Sequence, residues 1–94
     1  MYWFEDPRFV NPLKMVFYSL LKTEGDILFE MSELDLAIKC FKTLKDYCRV
    51  WGSMDYLIMK TYEQIAACYA SCHYYNLQKT YIKKALQLAY SLGD

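Results

Sequence analysis

The sequence predicts an all-α fold: two antiparallel helix-turn-helix hairpins stacked as a fragment of an α-solenoid. After Leu13, apolar residues recur at steps of three and four, which keeps side chains on one face of an α-helix. Only three glycines and two prolines occur in 94 residues, too few for the many tight turns of an all-β domain. The chain also resembles itself at an offset of 41 residues, at which Phe17 falls on Ile58 and Leu21 on Tyr62. Such internal repetition is typical of solenoid proteins.

Residues 1–12 are predicted to form an N-terminal aromatic arm that is separate from the helices. Pro7 and Pro12 restrict the backbone and disfavour helix in the residues before them. The arm carries four aromatic side chains without helical spacing: Tyr2, Trp3, Phe4 and Phe9. We expect the arm to be ordered by packing, either against this domain or against a partner.

Two helices are predicted in the first half of the chain, near residues 13–31 and 34–51, with a break at Ser32 and Glu33. Their apolar faces are Phe17, Leu21, Leu28 and Met31 in the first, and Ala37, Phe41, Leu44, Cys48 and Trp51 in the second. Glu24 interrupts the first face. Because an unpaired buried carboxylate is costly, we expect Glu24 either at the rim of the helix contact or beside a lysine or a tyrosine hydroxyl.

Two more helices are predicted near residues 54–72 and 75–92. Their apolar faces are Ile58, Tyr62, Ile65, Tyr69 and Cys72 in the third, and Ile82, Ala85, Ala89 and Leu92 in the fourth. Gly52 favours the left-handed conformation that ends a helix, and the Ser53 hydroxyl is suited to cap the next one. The break within this second half is predicted at residues 73–76.

The self-similarity divides the helical part into a first hairpin, residues 13–53, and a second hairpin, residues 54–94. Gly25 of the first matches Ala66 of the second, and both residues are small. We therefore expect close contacts between helices at these two positions, where a larger side chain would overpack.

The second hairpin resembles a tetratricopeptide repeat. The residues that carry the resemblance are Tyr62, Ile65, Ala66, Tyr69, Tyr75 and Ala85. In the first hairpin the matching residues are Leu21, Gly25, Leu28, Ala37 and Phe41. Glu24 and Gln78 depart from the pattern, and the offset of 41 residues exceeds the family's usual repeat of about 34. The long repeat, ending in Leu92, Gly93 and Asp94, is similar to those of spindle-orientation scaffolds and some ciliary proteins.

The resemblance implies a protein–protein interaction scaffold, not an enzyme, whose partner lies on the concave face made by the first helix of each hairpin. Matching this face residue by residue gives Ser19, Lys22, Thr23, Asp26, Phe29, Glu30, Lys60, Glu63, Gln64, Ala67, Ala70 and Ser71. The subgroup that clamps the C-terminal carboxylate of heat-shock chaperones pairs a lysine with an asparagine. Lys22 matches that lysine, but Asp26 replaces the asparagine and repels a carboxylate, so we do not expect chaperone-tail binding.

Charge and composition argue against other partners. Eleven basic and eleven acidic residues cancel, whereas nucleic-acid-binding surfaces are basic and so are segments that dock on anionic membranes. The sequence shows no export signal and no apolar run long enough to span a membrane. We therefore expect an intracellular, cytoplasmic protein with reduced cysteines. The resemblance to long-repeat proteins implies a cytoskeletal or ciliary setting.

Cys68, Cys72 and His73 are the one cluster that suggests a metal site. Thiolate and imidazole are zinc ligands, but structural zinc takes four of them, and the other two cysteines lie on a different predicted helix. A free cysteine more often behaves as a small buried hydrophobe. We therefore expect no metal, no other cofactor and no small-molecule substrate.

The last helix is expected to pack against more protein. Ends of solenoids carry polar capping elements, and none follows Leu92 in this sequence. We predict a terminal docking surface from Tyr74, Leu77, Tyr81, Leu88 and Tyr90. Its occupant would be either further repeats of a longer parent chain or a protein partner. The alternative to a scaffold with a ligand groove is an obligate structural subunit of a large complex.

Overall fold

The computed structural model describes residues 7–51 and 55–93, and these form four α-helices. In sequence order they are α1 (Pro7–Glu30), α2 (Leu34–Trp51), α3 (Asp55–Ser71) and α4 (Tyr75–Gly93). Within these two stretches there is no strand. The all-α prediction is confirmed, and the bounds predicted for the last three helices hold to within one residue at each end.

The first helix begins earlier than predicted, at Pro7, so the second half of the predicted arm is helical. Proline suits the first helical position, because its φ is already helical and its missing N–H would have no intrahelical partner. Pro12 lies in the second turn, and α1 continues through it at the cost of one backbone hydrogen bond. Residues 1–6 and the predicted break at Gly52 and Ser53 lie outside the described residues.

Helices α1 and α2 form an antiparallel pair, because the start of one lies beside the end of the other. The Lys14 ammonium donates to the carbonyl of Trp51 at 2.8 Å. Further along, the Cys40 thiol donates to the carbonyl of Leu21 at 3.2 Å. The pair is the first of the two predicted hairpins.

Helix α3 continues the antiparallel order by packing against both α2 and α4. Lys42 of α2 donates to the Tyr69 hydroxyl at 2.9 Å, and Arg49 of α2 donates to the Tyr62 hydroxyl at 2.5 Å. These two contacts fix the register between α2 and α3. The α3–α4 pair is the second hairpin.

The turn between α1 and α2 is built from two backbone hydrogen bonds around a left-handed residue. Ser32 has a φ of 61°. Its N–H donates to the carbonyl of Phe29 at 3.0 Å, and the N–H of Glu33 donates to that of Leu28 at 2.9 Å. This pair of bonds is a Schellman motif, which satisfies carbonyl groups left open at the end of a helix.

The turn between α3 and α4 repeats the same motif 41 residues later, at His73, whose φ is 64°. Its N–H donates to the carbonyl of Ala70 at 3.0 Å, and the N–H of Tyr74 donates to that of Tyr69 at 2.9 Å. The offset found in the sequence is therefore a structural repeat at the level of single backbone hydrogen bonds.

The core is shared by all four helices, but α2 and α3 supply most of it. Its buried apolar members are Tyr18 from α1; Ala37, Ile38, Phe41, Leu44 and Cys48 from α2; Ile58, Tyr62, Ile65, Cys68 and Tyr69 from α3; and Ala85 from α4. The two middle helices have neighbours on two sides, whereas α1 and α4 are covered mainly on one. The predicted faces of α2 and α3 are buried almost completely.

The predicted faces of α1 and α4 are rotated from the true ones. On α1 the buried side is centred on Tyr18 and Gly25, and the predicted Phe17 and Met31 are exposed. Glu24 is exposed too, so it has the rim position that was one of its two expected outcomes.

On α4 the only fully buried apolar side chain is Ala85, flanked by half-buried Tyr81 and Leu88. The predicted Ile82 and Leu92 are exposed. Both end helices are apolar on more than one side, so periodicity alone does not decide which side is covered.

Candidate functional site

The residues predicted for the concave face all reach the surface of α1 and α3. Seven are exposed: Ser19, Thr23, Glu30, Lys60, Glu63, Ala67 and Ser71. Five are half-buried: Lys22, Asp26, Phe29, Gln64 and Ala70. Phe29 packs against the core cluster, and the other eleven residues of the predicted set lie outside that cluster.

The two halves of this face are joined where Tyr18 of α1 meets Thr61 of α3. Both side chains are buried, and Thr61 also donates to the carbonyl of Leu57 at 2.7 Å. Burial raises the pKa of the Tyr18 phenol, and its hydrogen bond with Thr61 opposes that shift. Because α1 is antiparallel to α2 and α2 is antiparallel to α3, helices α1 and α3 run in the same direction.

The charges on this face are paired within each helix. Lys22 lies 2.8 Å from Asp26, and that hydrogen bond raises the pKa of the Lys22 ammonium. Lys60 lies 3.4 Å from Glu63. Because each lysine is paired with an acid, the additional acid Glu30 gives the face a slight net negative charge. Lys22 is already engaged by Asp26, which adds to the case against a carboxylate ligand at this position.

The predicted terminal docking surface is divided by the structure. Tyr74, Leu77 and Tyr90 are exposed, as that prediction requires. Tyr81 and Leu88 instead pack against the chain's own core, on the side of α4 that faces α3. These two residues therefore hold α4 in place and are not free for a partner.

Tyr81 is the centre of an aromatic stack between α3 and α4. Its ring centroid lies 5.9 Å from that of Tyr62 and 5.6 Å from that of Tyr69. The Lys84 ammonium lies 4.8 Å from the Tyr81 centroid, and Lys42 of α2 approaches it at 5.9 Å. Cation–π contacts of this length are attractive. The hydrogen bond to Tyr69 raises the pKa of Lys42, so the ammonium remains charged in this stack.

Sequence reasoning missed the apolar surfaces that α1 and α4 leave open. On α4, Ile82, Leu86 and Ala89 form an exposed ridge. On α1 the exposed apolar side includes Leu20 and Ile27. The signal that could have found both ridges is the 41-residue offset, because all but one of the matching residues of α2 and α3 are buried.

A cleft of about 490 Å³ lies where the C-terminal ends of α2 and α4 flank the start of α3. It is lined by Cys48, Arg49, Asp55, Ile58, Tyr62, Lys84, Gln87, Leu88 and Ser91. Arg49 is held there by its hydrogen bond to Tyr62. Nothing in the sequence singled out this cleft, because its lining comes from three separate helices.

The cysteine cluster does not form a metal site in the described part of the chain. No three His, Cys, Asp or Glu side chains within residues 7–51 and 55–93 lie together in a way that could hold a metal ion. Burial raises the pKa of Cys68 to about 11 and that of Cys48 to about 11 as well. His73 lies at the turn, where its Nδ1 is 2.9 Å from the Tyr75 hydroxyl. The buried thiols are therefore poor nucleophiles and poor ligands.

Comparison of the chain with protein-family models, with curated proteins and with solved structures found no match. In the described residues, none of the helices has the length and apolar character required to cross a membrane.

Proposed function

We propose that the chain is a protein–protein interaction scaffold of the tetratricopeptide-repeat type, and that the face made by α1 and α3 binds a segment of a partner protein. The observation that carries this proposal is that α1 and α3 run in the same direction, with eleven of the twelve predicted face residues outside the core cluster. The two identical turns, 41 residues apart, support a repeat protein as the framework.

The chemistry of this face favours a peptide segment with polar side chains. Ser19, Thr23, Ser71 and the Gln64 amide offer hydrogen bonds, and half-buried Phe29 offers apolar contact. Because the lysines are paired with acids, the face attracts neither a nucleic-acid backbone nor an anionic lipid surface. The proposal therefore includes no nucleic acid, membrane or small-molecule ligand and no catalytic activity, and it places the protein inside the cell.

The test is capture of partners from the native source with a matched pair of variants, followed by mass spectrometry. Ala67→Arg puts a bulky cation on the exposed part of the α3 face. Val50→Arg makes an equally large change on α2, at a side chain that is 80% exposed. A partner of the proposed face is retained by wild type and by Val50→Arg and lost by Ala67→Arg. Equal capture by all three proteins would contradict the proposal.

A second candidate is an obligate structural subunit of a larger complex, in which the α1–α3 face has no ligand. The exposed apolar side chains of α1 and α4 favour it, since soluble monomers seldom expose large contiguous apolar patches. An obligate subunit, expressed without its partners, forms aggregates of undefined mass. Recovery of a soluble protein of defined mass would exclude this second candidate.

A further inference from the structure

The contact between α2 and α3 has a counterpart on α4 that is left open. The residues of α2 that meet α3 include Lys42, Cys48 and Arg49. At the 41-residue offset their matches on α4 are Lys83, Ala89 and Tyr90, and all three are exposed. Two further matched pairs differ in burial: Phe41 is buried and Lys45 half-buried, whereas their matches Ile82 and Leu86 are exposed.

The exposed fractions of the α4 side chains are much larger than that of the buried Phe41 on α2. Phe41 is fully buried, whereas Ile82 is 41% exposed and Leu86 is 49% exposed. Apolar side chains on α4 thus lie at positions whose matches on α2 are buried or half-buried, and the described residues leave these α4 side chains exposed. The α4 ridge of Ile82, Leu86, Ala89 and Tyr90 is the tail surface.

Helix α1, in turn, is exposed at positions where the matching residues of α3 are buried. Thr61, Ile65 and Cys68 of α3 are at most 1% exposed, and they match Leu20, Glu24 and Ile27 of α1. Leu20 is 62% exposed and Ile27 is 53% exposed. The α1 side made by Leu20, Glu24 and Ile27 is the head surface. At both ends of its helix order, one molecule therefore exposes positions whose matches in the two middle helices are mostly buried.

We propose that the tail surface of one molecule packs on the head surface of a second copy of this chain, in the way that α2 packs on α3. The interface is head-to-tail, so each copy retains one free surface and the assembly grows beyond a dimer. This inference does not depend on the use of the α1–α3 face by a partner.

The charges of the two surfaces are complementary in this register. When α4 of one copy packs on α1 of the next in the register of α2 on α3, Lys83 lies beside Leu28 of the second copy. The reason is that their matches, Lys42 and Tyr69, are in contact. The N-terminal half of α4 carries Lys79, Lys83 and Lys84, and α4 contains no acid. The C-terminal half of α1 carries Glu24, Asp26 and Glu30. Lys84 lies over Tyr81 of its own copy, and Asp26 is paired with Lys22. Because the helices are antiparallel in this arrangement, the remaining Lys79 and Lys83 of one copy lie along the end of α1 that carries Glu30 in the next.

Glu24 affects how strongly the tail surface of one copy binds the head surface of the next. Its match in α3 is Ile65, which is fully buried. In the assembly Glu24 becomes partly desolvated, which weakens association unless a lysine of α4 meets it. The contact is therefore weaker than the α2–α3 contact it copies, and association depends on protein concentration.

The experiment measures molar mass by light scattering and sedimentation of the whole chain, from about 1 µM to about 1 mM. The tail variant is Ile82→Glu with Leu86→Glu, and the head variant is Leu20→Glu with Ile27→Glu. Both pairs change exposed side chains, so folding is preserved, and circular dichroism checks it. Val50→Glu, at another exposed apolar position, is the matched control.

We expect the mass of wild type and of Val50→Glu to rise with concentration beyond that of a dimer. Each double variant alone remains a monomer over this concentration range, because the dissociation constant of its self-association is raised by about tenfold or more. An equimolar mixture of the two forms a dimer and nothing larger, because one intact head then meets one intact tail. Glu24→Ile, which restores the residue of α3, lowers the dissociation constant of wild type.

Three results would overturn the inference. The first is a wild-type chain that stays monomeric over the whole range, which would leave the two surfaces to other proteins. The second is a head variant that still associates, which would indicate a symmetric contact between two α4 helices. The third is a mixture of head and tail variants that does not pair.

Discussion

At the scale of single residues, Gly25 decides how closely α1 approaches α2. A Cβ atom placed on Gly25 would lie 2.6 Å from two ring carbons of Phe41. The Phe41 side chain is fully buried, so its ring has no free space into which it could move. The close contact predicted for this glycine from the sequence repeat is confirmed. Its match, Ala66, is also buried.

Gly25→Leu is expected to lower the free energy of unfolding by roughly 1–3 kcal/mol, because overpacking outweighs the better helix propensity of leucine. Urea denaturation followed by circular dichroism measures the change. Gly93→Leu is the control, since no atom lies within 4 Å of a Cβ placed there, and it should change stability by less than about 0.5 kcal/mol. An unchanged midpoint for Gly25→Leu would contradict the packing at this position.

Because of the buried thiols, the free energy of unfolding should fall as the pH becomes alkaline. Burial raises the pKa of Cys48 and of Cys68 from 9.0 to about 11. Between these values the unfolded chain loses thiol protons that the folded chain retains. The folded state then binds more protons, so stability falls as pH rises from 9 towards 11. Each thiol contributes on the order of 1–3 kcal/mol across this window.

The expected result is a steep loss of stability above pH 9 in wild type and a shallower loss in the Cys48→Ala, Cys68→Ala double variant. The double variant is less stable at neutral pH because it leaves cavities. Urea midpoints at pH 7, 9 and 10.5 make the comparison. Cys72→Ala keeps Cys48 and Cys68, together with the third buried thiol, Cys40, and should retain the steep loss. Parallel pH profiles for wild type and the double variant would show that the thiols are not responsible.

At the scale of elements, each hairpin contains the same kind of turn. Its central residue is left-handed but is not glycine. The left-handed conformation disfavours any residue that has a Cβ, by roughly 1–2 kcal/mol. Ser32 and His73 both adopt it, with φ values of 61° and 64°. Both are exposed, so their side chains return little packing energy. Each turn is therefore a site at which the sequence is not optimal for its structure.

Ser32→Gly and His73→Gly are each expected to raise the free energy of unfolding by about 0.5–1 kcal/mol, because glycine adopts this conformation without strain. The gain at His73 is reduced by loss of its contact with Tyr75. Ser19→Gly, at an exposed position inside α1, provides the opposite control and should lower stability by roughly 0.5–1 kcal/mol. Thermal melts distinguish the cases, and destabilisation by Ser32→Gly would contradict the turn geometry.

At the scale of the whole molecule, the two hairpins depend on one another. Long solenoids can unfold one repeat at a time, because each repeat contacts only its neighbours. Here α2 packs against both α1 and α3, and its buried residues belong to a cluster that extends from Tyr18 to Ala85. Neither hairpin retains a core without the other, so the described helices should unfold together.

Leu44→Ala tests this dependence, since Leu44 is almost completely buried in α2. We expect a loss of about 2–5 kcal/mol and a single transition in both wild type and variant. Hydrogen exchange followed by mass spectrometry resolves the helices, and protection should fall in α1 and in α4 alike. Protection that is lost from α1 and α2 but kept in α3 and α4 would show that the hairpins unfold separately.

The sequence by itself determined the all-α class, the bounds of α2, α3 and α4, the turns near Ser32 and His73, and the repeat. Local features explain this success: apolar spacing, a short polar break at Ser32, and a second break near His73 with the same offset. The buried faces of α2 and α3 were also predictable, because helices with neighbours on two sides bury nearly every apolar stripe they have. The concave face is a prediction from the resemblance to a repeat family; its residues are exposed or half-buried, and Phe29 packs against the core.

Only the tertiary structure decided which side of each end helix is covered. Tyr81 and Ile82 show why: they are neighbours about 100° apart on α4, both are apolar, and only Tyr81 packs into the core. Periodicity reports that a helix side is apolar, whereas burial depends on whether another helix lies against it. The start of α1 at Pro7 is a similar case, because the restrictions on proline are local but the length of a helix depends on the total free energy of forming it.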